Sequence, residues 1–334
     1  MRALNAGVGT GDARFHLLPE PSWIFFPILP LEIARELRAH PADAIVASDP
    51  YVGVAALTGR KLARSQAKVI VELHGDPRTF TRLYGSQARR TVAAVADAAA
   101  KLALRRADAT RAVSSFTGRL AEEARGRPPT KTFLAYSDLS AFADTPVVAV
   151  PVERRVVFVG ALEPYKNIDG LALAWRRVAL QDPDAVLVVV GRGSRHAVVE
   201  SLVRDLPRQV VHRPELPPEG VARELDNARA LVLPSYPEGL GRVVLEAFAR
   251  ARAVVGTDGG GIPDMVTHER EGLLVPPYDT DALVAALQRV LHDHELCVRL
   301  GAAARETYRS WHQTPEGFAR AYRELVDCTL AGER

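Results

Sequence analysis

The sequence predicts an α/β protein of two Rossmann-like, doubly wound domains that face a central cleft. Short apolar runs alternate with helical patterns along most of the chain, as expected for βαβ units on parallel sheets. The chain has 334 residues, of which 47% are hydrophobic and 25% charged, so it can bury the cores of two mid-sized domains. A polar, proline-bearing stretch at 137–153 divides the predicted strands into two series.

The first series lies in the first 145 residues. Its predicted strands are 15–18, 44–47, 68–72, 109–113 and 132–135. Before them, Gly7, Gly9 and Gly11 have neither a preceding strand nor a clear following helix, and a G-x-G pattern in that setting is weak support for phosphate binding. We therefore predict that residues 1–12 form a flexible terminus.

The second series has a more regular spacing. Its predicted strands are 155–160, 185–191, 210–212, 230–234, 253–257 and 272–275. Helix-competent segments between them include 170–181, 195–205, 241–250 and 280–293. Ligands of doubly wound folds bind at the carboxyl ends of the strands, so we expect the functional residues in the loops that follow them.

Cysteine content and hydropathy exclude several classes of protein. Cys297 and Cys328 lack the spacing of a zinc site or a redox pair, which excludes a disulfide framework and indicates a reducing, cytoplasmic setting. The most apolar stretch, 23–34, is short and is interrupted by Pro27 and Pro30, so no segment is predicted to span a membrane.

The net charge of +3 is unevenly distributed. Residues 1–150 carry 20 Lys and Arg against 14 Asp and Glu, whereas the remainder carries 23 against 26. A basic first half can attract an acidic acceptor or an anionic membrane, which would place the protein peripherally at the inner face of that membrane. The favoured interpretation is a solvated basic helix face around Arg89, Arg90, Arg105 and Arg106. No nucleic-acid partner is predicted.

The segment 230–249 is the most informative part of the chain. A strand ends at Pro234, a loop presents Glu238, and Gly239 and Gly241 allow the backbone to approach a ligand closely where a helix begins. Free amides at a helix start can hold a pyrophosphate without a basic side chain. A carboxylate in the loop can accept hydrogen bonds from sugar hydroxyls.

Glu246 lies on the second turn of the same helix, eight residues after Glu238. Its carboxylate can accept two hydroxyl hydrogen bonds from a ribose. Arg242 and Arg250 stand four residues on either side of it, so Glu246 can equally belong to a salt-bridged helix face. The helical periodicity does not choose between these interpretations.

Glycines at other strand ends point to the same cleft. Gly259, Gly260 and Gly261 follow a buried strand, and three successive glycines favour a backbone cradle for phosphates or a sugar over an ordinary turn. Gly160 and the tripeptide 191–193 close two further strands of the second series.

Two side chains at strand ends are candidates for the chemistry. Lys166 follows Gly160 in the same loop and can neutralise the charge of a departing nucleotide diphosphate, although a lone loop lysine is usually only solvated. His74 follows the strand 68–72 and is a candidate sugar contact, although a lone histidine is more often structural.

Taken together and in this order, these segments resemble the retaining glycosyltransferases of family 4, which have the two-domain GT-B fold. The resemblance covers the second half of the chain, and the spacing of Glu238 and Glu246 is that of the family. The segments that carry it are 160–167, 191–193, 234–235, 238–241, 259–264 and 272–276.

The resemblance implies a role for each matched position. Glu238 would hold the donor sugar, the amides of Leu240 and Gly241 would contact the diphosphate, and Glu246 would bind the ribose. Lys166 would clamp the phosphates. In the first domain, His74 would contact the transferred sugar, so that His74, Lys166 and Glu238 form the catalytic group.

The sequence departs from the family pattern in two places. Ala161 stands where the family has an arginine after the glycine of the Lys166 loop, and Arg192, next to Gly193, is a candidate replacement. The family's opening strand and glycine-rich loop have no counterpart before 15–18. Two βα units correspond to on the order of 60 residues, so we expect an incomplete first domain.

The implied reaction is transfer of a sugar from a nucleotide-diphosphate-sugar to an acceptor hydroxyl with retention of configuration. The acceptor would be a glycan, a lipid-linked molecule or a small molecule, and the donor is a co-substrate, so no cofactor is expected. No metal is expected either, because Asp182 and Asp184 precede a strand at the wrong end of the sheet and 292–295 has the pattern of a polar helix end. The alternative is a truncated, catalytically idle nucleotide-sugar-binding protein or a gene fragment.

These expectations define three parts of the chain. An acceptor-side domain is predicted at 1–145 and a donor-binding domain at 146–310. A C-terminal helix at 311–334 is a candidate to cross back to the first domain.

Overall fold

The computed structural model describes residues 22–79 and 87–332. The strand predicted at 15–18, the glycines at 7, 9 and 11, and the side chains at 89 and 90 lie outside the described part. The helices are α1 Ser22–Ala39, α2 Pro50–Ala63, α3 Gln87–Arg106, α4 Ser115–Arg125, α5 Ser140–Ala143, α6 Ile168–Gln181, α7 His196–Asp205, α8 Pro218–Asp226, α9 Arg242–Ala249, α10 Thr280–His292, α11 His294–Trp311 and α12 Pro315–Ala331.

The strands form two parallel sheets. They are β1 Ala44–Ala47, β2 Lys68–Leu73, β3 Ala109–Ala112, β4 Lys131–Thr132, β5 Arg155–Val159, β6 Val186–Val190, β7 Val210–Arg213, β8 Ala230–Leu233, β9 Ala253–Thr257 and β10 Gly272–Val275. The first sheet has the order β1-β2-β3-β4 and the second β10-β9-β8-β5-β6-β7. The prediction of two parallel-sheet α/β domains is confirmed.

One predicted strand is largely wrong. Residues 132–135 were expected to pair, but β4 ends at Thr132 after the Phe133 amide donates to the Ala112 carbonyl (3.1 Å). The Phe133 ring instead packs edge-on against Phe318 and Tyr322 of α12, at centroid distances of 5.9 and 6.0 Å. Main-chain pairing with β3 therefore ends at Phe133, and the ring of this residue packs on a distant helix.

Pro27 and Pro30, which interrupt the most apolar stretch of the sequence, both lie inside helix α1. Helix α1 packs on α2 at backbone distance: a Cβ added at Gly59 would lie 2.7 Å from Ile33 and 2.8 Å from the Pro30 carbonyl oxygen. Tertiary packing therefore compensates for the hydrogen bonds that the two prolines cannot donate.

The second sheet determines where its loops meet. Its central strands are fully buried runs, such as Val156, Val157 and Phe158 at 0% exposure, as expected for a parallel sheet with helices on both faces. Successive strands run outward in one direction from β5 to β7 and in the other from β8 to β10. The order therefore reverses between β5 and β8, which is the topological switch point at which ligands of such folds bind.

Two buried arginines hold the polar stretch 137–153 against the second domain. Arg250 donates to the carbonyls of Phe142 (3.1 Å) and Thr145 (3.0 Å), and Arg252 donates to that of Ala149 (3.1 Å). Both guanidinium groups are at most 1% exposed. Buried charges of this kind are tolerated when their donors are satisfied. These hydrogen bonds fix the course of the 137–153 stretch, which connects the two sheets.

Helix α12 follows the second domain but contacts the first. Its Leu325 is fully buried in a small cluster with Ile70 of β2 and Ala109 of β3. The Tyr322 hydroxyl of the same helix donates to Glu72 of β2 (3.0 Å). The end of the chain is therefore packed on the first sheet.

Candidate functional site at the switch point

The loops after β5 and β8 meet through an ion pair. Lys166, in the 3₁₀ turn Pro164–Lys166, places its Nζ 2.5 Å from Oε2 of Glu238. The amide of Tyr236 donates to the Tyr165 carbonyl (2.8 Å), which ties the two loops together next to this pair. The side chains of Lys166 and Glu238 are only 10% and 12% exposed, so the charges face each other in a largely desolvated site.

Glycines allow the backbone of the Glu238 loop to pack without side chains. A Cβ at Gly260 would overlap the Glu238 carbonyl oxygen, and one at Gly261 would overlap that of Gly239. Gly260 also has a φ of +67°, a conformation that favours glycine. The Gly261 amide donates to the Glu238 carbonyl (2.8 Å), so the loop at 259–261 is hydrogen-bonded directly to the loop that carries Glu238. Gly259 lies under the Tyr236 ring, with 2.8 Å between its added Cβ and Cδ2.

The start of α9 lies beside Glu238. Gly241 is the residue before the helix, with a φ of +83°, and no described side chain caps this end. Leu240 is half-buried against the core of the second domain. Backbone amides at this helix start can therefore point to an anion, and the cap position is not occupied by a competing side-chain oxygen.

The glycines predicted after β5 and β6 lie against each other. A Cβ at Gly191 would overlap the Gly160 carbonyl oxygen, and one at Gly193 would lie 2.5 Å from the Leu162 carbonyl oxygen. Arg192 points away from this packing: its side chain is 67% exposed and pairs with Glu215. Its suggested role in place of the arginine missing at Ala161 stays a prediction.

The salt-bridged helix face, which is the alternative to a ribose contact at Glu246, is present only in part. Only one of the two flanking arginines is near it, since Arg242 Nε lies 3.6 Å from its Oε1. Arg250 points to the other side and pairs with Asp226 (2.8 Å). Burial raises the pKa of Glu246, and the positive charge of exposed Arg242 opposes this shift only in part. Glu246 is thus a largely buried carboxylate, 12% exposed, whose charge is only partly neutralised by Arg242.

His74 follows β2 and lies at the first-domain side of the cleft. A Cβ at Gly239 would overlap the His74 carbonyl oxygen and lie 3.0 Å from Cα of Gly75, so the two domains touch at this point. The His74 ring is 44% exposed, and its Nε2 lies 3.2 Å from Oε2 of Glu72. His74 therefore shares the cleft with the Glu238 loop, as the strand-end positions predicted.

Sequence reasoning missed two residues that join the domains. The Ser114 hydroxyl, before α4, donates to the Gly239 carbonyl (2.6 Å), and the Ser115 amide donates to the Asp264 carboxylate (2.5 Å). Ser114 also caps α4 in a capping box with Thr117. A capping serine is a readable signal for a helix start, but its contact with the other domain is a tertiary feature.

The described residues contain no group of three or more His, Cys, Asp or Glu side chains that could hold a metal ion. The acidic pair at 182 and 184 precedes β6 at the sheet end opposite the cleft, and Asp182 lies 3.2 Å from His292 Nε2.

No helix among the described ranges is long and apolar enough to cross a membrane. A cavity of about 870 Å³ between α2 and α3 contains none of the predicted site residues.

Two family profiles match the chain, one for each domain. The profile described as "Glycosyl transferase 4-like domain" matches residues 5–137. The profile described as "Glycosyl transferases group 1" matches residues 147–307. The first sheet lies within the range that the first profile matches, and the second sheet lies within the range of the second profile.

Curated relatives match mainly over about half of the chain. A D-inositol 3-phosphate glycosyltransferase of Nocardia farcinica is 32% identical over 183 residues, which are 52% of this chain and 41% of the relative. Sulfoquinovosyl transferase SQD2 of Arabidopsis thaliana is 31% identical over 159 residues, which are 47% of this chain and 30% of the relative. Each alignment therefore covers less than half of the relative's own length.

Solved structures match over nearly the whole chain at lower identity. Sucrose-phosphate synthase from Thermosynechococcus elongatus superposes with a TM-score of 0.77 at 24% identity, over 93% of this chain and 81% of that one. HepE of Anabaena, in complex with UDP and glucose, superposes with a TM-score of 0.69 at 19% identity, over 90% of this chain and 80% of that one. The chain therefore has the two-domain fold of these structures, which is the GT-B fold of glycosyltransferases.

Proposed function

We propose that this chain is a glycosyltransferase that moves a sugar from a nucleotide-diphosphate-sugar to an acceptor hydroxyl with retention of configuration. The observation that carries the proposal is the Lys166–Glu238 pair at the switch point, beside the uncapped start of α9. The cation and the free amides suit the phosphates of such a donor, and the carboxylate can accept hydrogen bonds from its sugar hydroxyls. The two matched domain types support the same proposal.

The donor would bind along the second domain. Glu246 accepts hydrogen bonds from the ribose, and the amides of Leu240 and Gly241 receive the diphosphate. Lys166 then exchanges its contact with Glu238 for the phosphates, which frees the Glu238 carboxylate for the sugar hydroxyls. The 259–261 loop supports the Glu238 backbone, so removing its glycines would displace the sugar contact.

The transfer step would need no protein nucleophile. The acceptor hydroxyl attacks the anomeric carbon on the face from which the diphosphate leaves, and its proton passes to the departing phosphate oxygen. Lys166 and the amides at α9 stabilise the negative charge that develops on the leaving group, which is the role a metal ion has in other transferases. His74 contacts the transferred sugar from the first domain. The proposal therefore includes metal independence.

The acceptor would approach from the first domain as a glycan, a lipid-linked molecule or a small molecule. A lipid-linked acceptor would bring the chain to the inner face of an anionic membrane, where exposed basic residues such as Arg105 and Arg106 at the end of α3 add attraction. Co-sedimentation with vesicles of anionic and neutral lipid checks this part separately.

A panel of UDP-, GDP- and ADP-sugars with the native chain tests the proposal, and UDP-glucose comes first because the HepE complexes contain UDP and glucose. We expect donor hydrolysis or transfer that persists in a chelator, and a product whose anomeric configuration, read by NMR, equals that of the donor. Lys166→Ala should lower turnover by roughly 10²- to 10³-fold. Lys131→Ala, at an exposed lysine of the first domain, is the matched control.

Three outcomes would contradict parts of this account. Inverted product would exclude the retaining mechanism, and loss of turnover in the chelator would exclude metal independence. Nucleotide binding without any turnover would favour the alternative, a catalytically idle nucleotide-sugar-binding protein.

A further inference from the structure

We propose that Tyr322 of α12 is a positioning residue for His74. Together with Arg111, it fixes the Glu72 carboxylate that holds Nε2 of His74, so that Nδ1 is presented to the cleft as a hydrogen-bond acceptor. This inference rests on the proposed function, because it assigns the ring nitrogen of His74 that meets a sugar hydroxyl.

The two oxygens of Glu72 have separate partners. Oε1 accepts from Arg111 Nη1 at 2.6 Å and from the Tyr322 hydroxyl at 3.0 Å. Oε2 faces His74 Nε2 at 3.2 Å. Two donors on one oxygen prevent the carboxylate from rotating, and this leaves the other oxygen directed to the histidine.

The protonation states of this group follow from its surroundings. Burial alone would raise the pKa of Glu72, but the hydrogen bonds from His74 and Arg111 and their charges outweigh it and hold the pKa at about 2. Burial and the negative charge of Glu72 raise the pKa of Tyr322. At neutral pH Glu72 is therefore an acceptor only, and the Tyr322 hydroxyl keeps its proton and donates.

The tautomer of His74 follows from the state of Glu72. Because an ionised carboxylate cannot donate, the hydrogen between Oε2 and Nε2 belongs to the imidazole. In the neutral ring the lone pair then lies on Nδ1. Within the described ranges, Nδ1 of His74 has no hydrogen-bond partner, and the side chain is 44% exposed. Nδ1 can therefore accept a hydrogen bond from a sugar hydroxyl.

Aromatic packing keeps Tyr322 in place. The Arg111 guanidinium lies 4.2 Å from the centroid of the Phe133 ring and 5.5 Å from that of Phe318, and its Nη2 donates to the Phe133 carbonyl (3.1 Å). The Phe318 and Tyr322 rings, one turn apart on α12, are 5.5 Å apart. This cluster anchors the helix on β2 and β3, so the hydroxyl that orients Glu72 is held by a packed surface.

Tyr322 is far from Glu72 in the sequence. It lies 250 residues after Glu72, and α12 lies beyond residue 307, where the matched group 1 profile ends. A helix that follows the second domain therefore completes the first-domain side of the cleft.

Nitrogen-15 NMR of the histidine-labelled chain tests the tautomer without requiring turnover. We expect the native ring of His74, identified by its loss in His74→Ala, to show the protonated Nε2 and unprotonated Nδ1 pattern. In Glu72→Gln the carboxamide can donate to Nε2, so the pattern should move toward the other tautomer. Tyr322→Phe should give a mixture. A native ring protonated on Nδ1, or a Tyr322→Phe spectrum identical to the native one, would overturn the proposal.

Kinetics provide the second arm, once the native chain turns over a donor. Tyr322→Phe should lower kcat roughly 10-fold, because a less firmly oriented His74 ring meets the sugar hydroxyl in a smaller fraction of molecules. The KM for the donor should stay within about two-fold, because the nucleotide contacts lie in the other domain. The control is Tyr308→Phe on α11, which removes a hydroxyl contact with His312 (2.8 Å), the residue after that helix. We expect this control to retain the native kcat.

A double-mutant cycle separates positioning from a general structural role. If Tyr322 acts through His74, the variant with both His74→Ala and Tyr322→Phe should be no slower than His74→Ala alone. If Tyr322→Phe lowers the kcat of His74→Ala by a further 10-fold, Tyr322 acts elsewhere. Absence of native turnover would count against the proposed function, and the NMR spectra would still decide the present inference.

Discussion

The two sides of the cleft hold their buried carboxylates in opposite ways. On the first-domain side, Glu72 has hydrogen-bond partners on both oxygens, and its pKa is about 2. On the second-domain side, Glu246 is buried beside one exposed arginine at 3.6 Å, and its pKa is raised. A carboxylate whose partners lie within the protein stabilises the fold, whereas one with a single weak partner is a candidate for binding a ligand.

Glu72→Gln should have the largest effect on stability. A pKa lowered from 4.5 to about 2 corresponds to about 3 kcal/mol of unfolding free energy at neutral pH, which the amide cannot supply. Denaturant unfolding at pH 7 measures the loss. Glu324→Gln removes an exposed partner of Lys131 at 3.7 Å and should change stability by less than about 1 kcal/mol.

The pH dependence of this contribution has a definite sign. Because the folded pKa of Glu72 lies below its unfolded value, the stabilisation is complete above pH 4.5 and is lost as the pH falls toward 2. The difference in unfolding free energy between the native chain and Glu72→Gln should therefore shrink over that range. A constant difference from pH 7 to pH 2 would contradict the assignment of Glu72 as a satisfied carboxylate.

Gly239→Ala tests the point at which the two sides meet. The added methyl group would overlap the His74 carbonyl oxygen, so the domains would have to separate and transfer should fall about 100-fold. Gly75→Ala is the matched control across the same contact, because its nearest atom, Gly239 Cα, is 4.0 Å from the added Cβ. Steady-state rates that fall equally in both variants would mean that this close approach has no part in the reaction.

Glu246→Gln should have the smallest effect on stability, with the opposite sign to Glu72→Gln. Because the folded pKa of Glu246 is raised, its ionised form destabilises the fold as the pH rises through that value. The neutral amide removes this cost, and we expect a gain of about 0.5–2 kcal/mol at pH 7 without ligand. A loss of stability in thermal unfolding would show that Glu246 is satisfied within the protein.

The difference between the two sides also explains what the sequence could predict. Lys166 and Glu238 follow adjacent strands, so strand-end reasoning predicts that they share an edge, and the structure brings them to 2.5 Å. Helical periodicity could not predict that Arg250 bonds with Asp226 and the 137–153 stretch, which leaves Arg242 as the one flanking arginine beside Glu246. The ribose contact of Glu246 stays a prediction.

Contacts on the first-domain side depend on distant residues. Ser114 meets Gly239 across 125 positions, and Tyr322 meets Glu72 across 250, and no local pattern carries such pairings. The same long-range packing removed Phe133 from the strand predicted there. The expectation of absent opening units stays a prediction, because residues 1–21, which include the strand predicted at 15–18, lie outside the described residues.

Isothermal titration with a nucleoside diphosphate tests most directly whether the donor binds at the switch point of the second domain. The native chain should bind UDP, GDP or ADP, and Glu246→Ala should weaken that binding at least about 10-fold, since hydrogen bonds to a charged group contribute about 1.5–3 kcal/mol. The control Glu219→Ala, at an exposed position of α8, should bind as the native chain does. Equal nucleotide affinity in Glu246→Ala and the native chain would contradict the account.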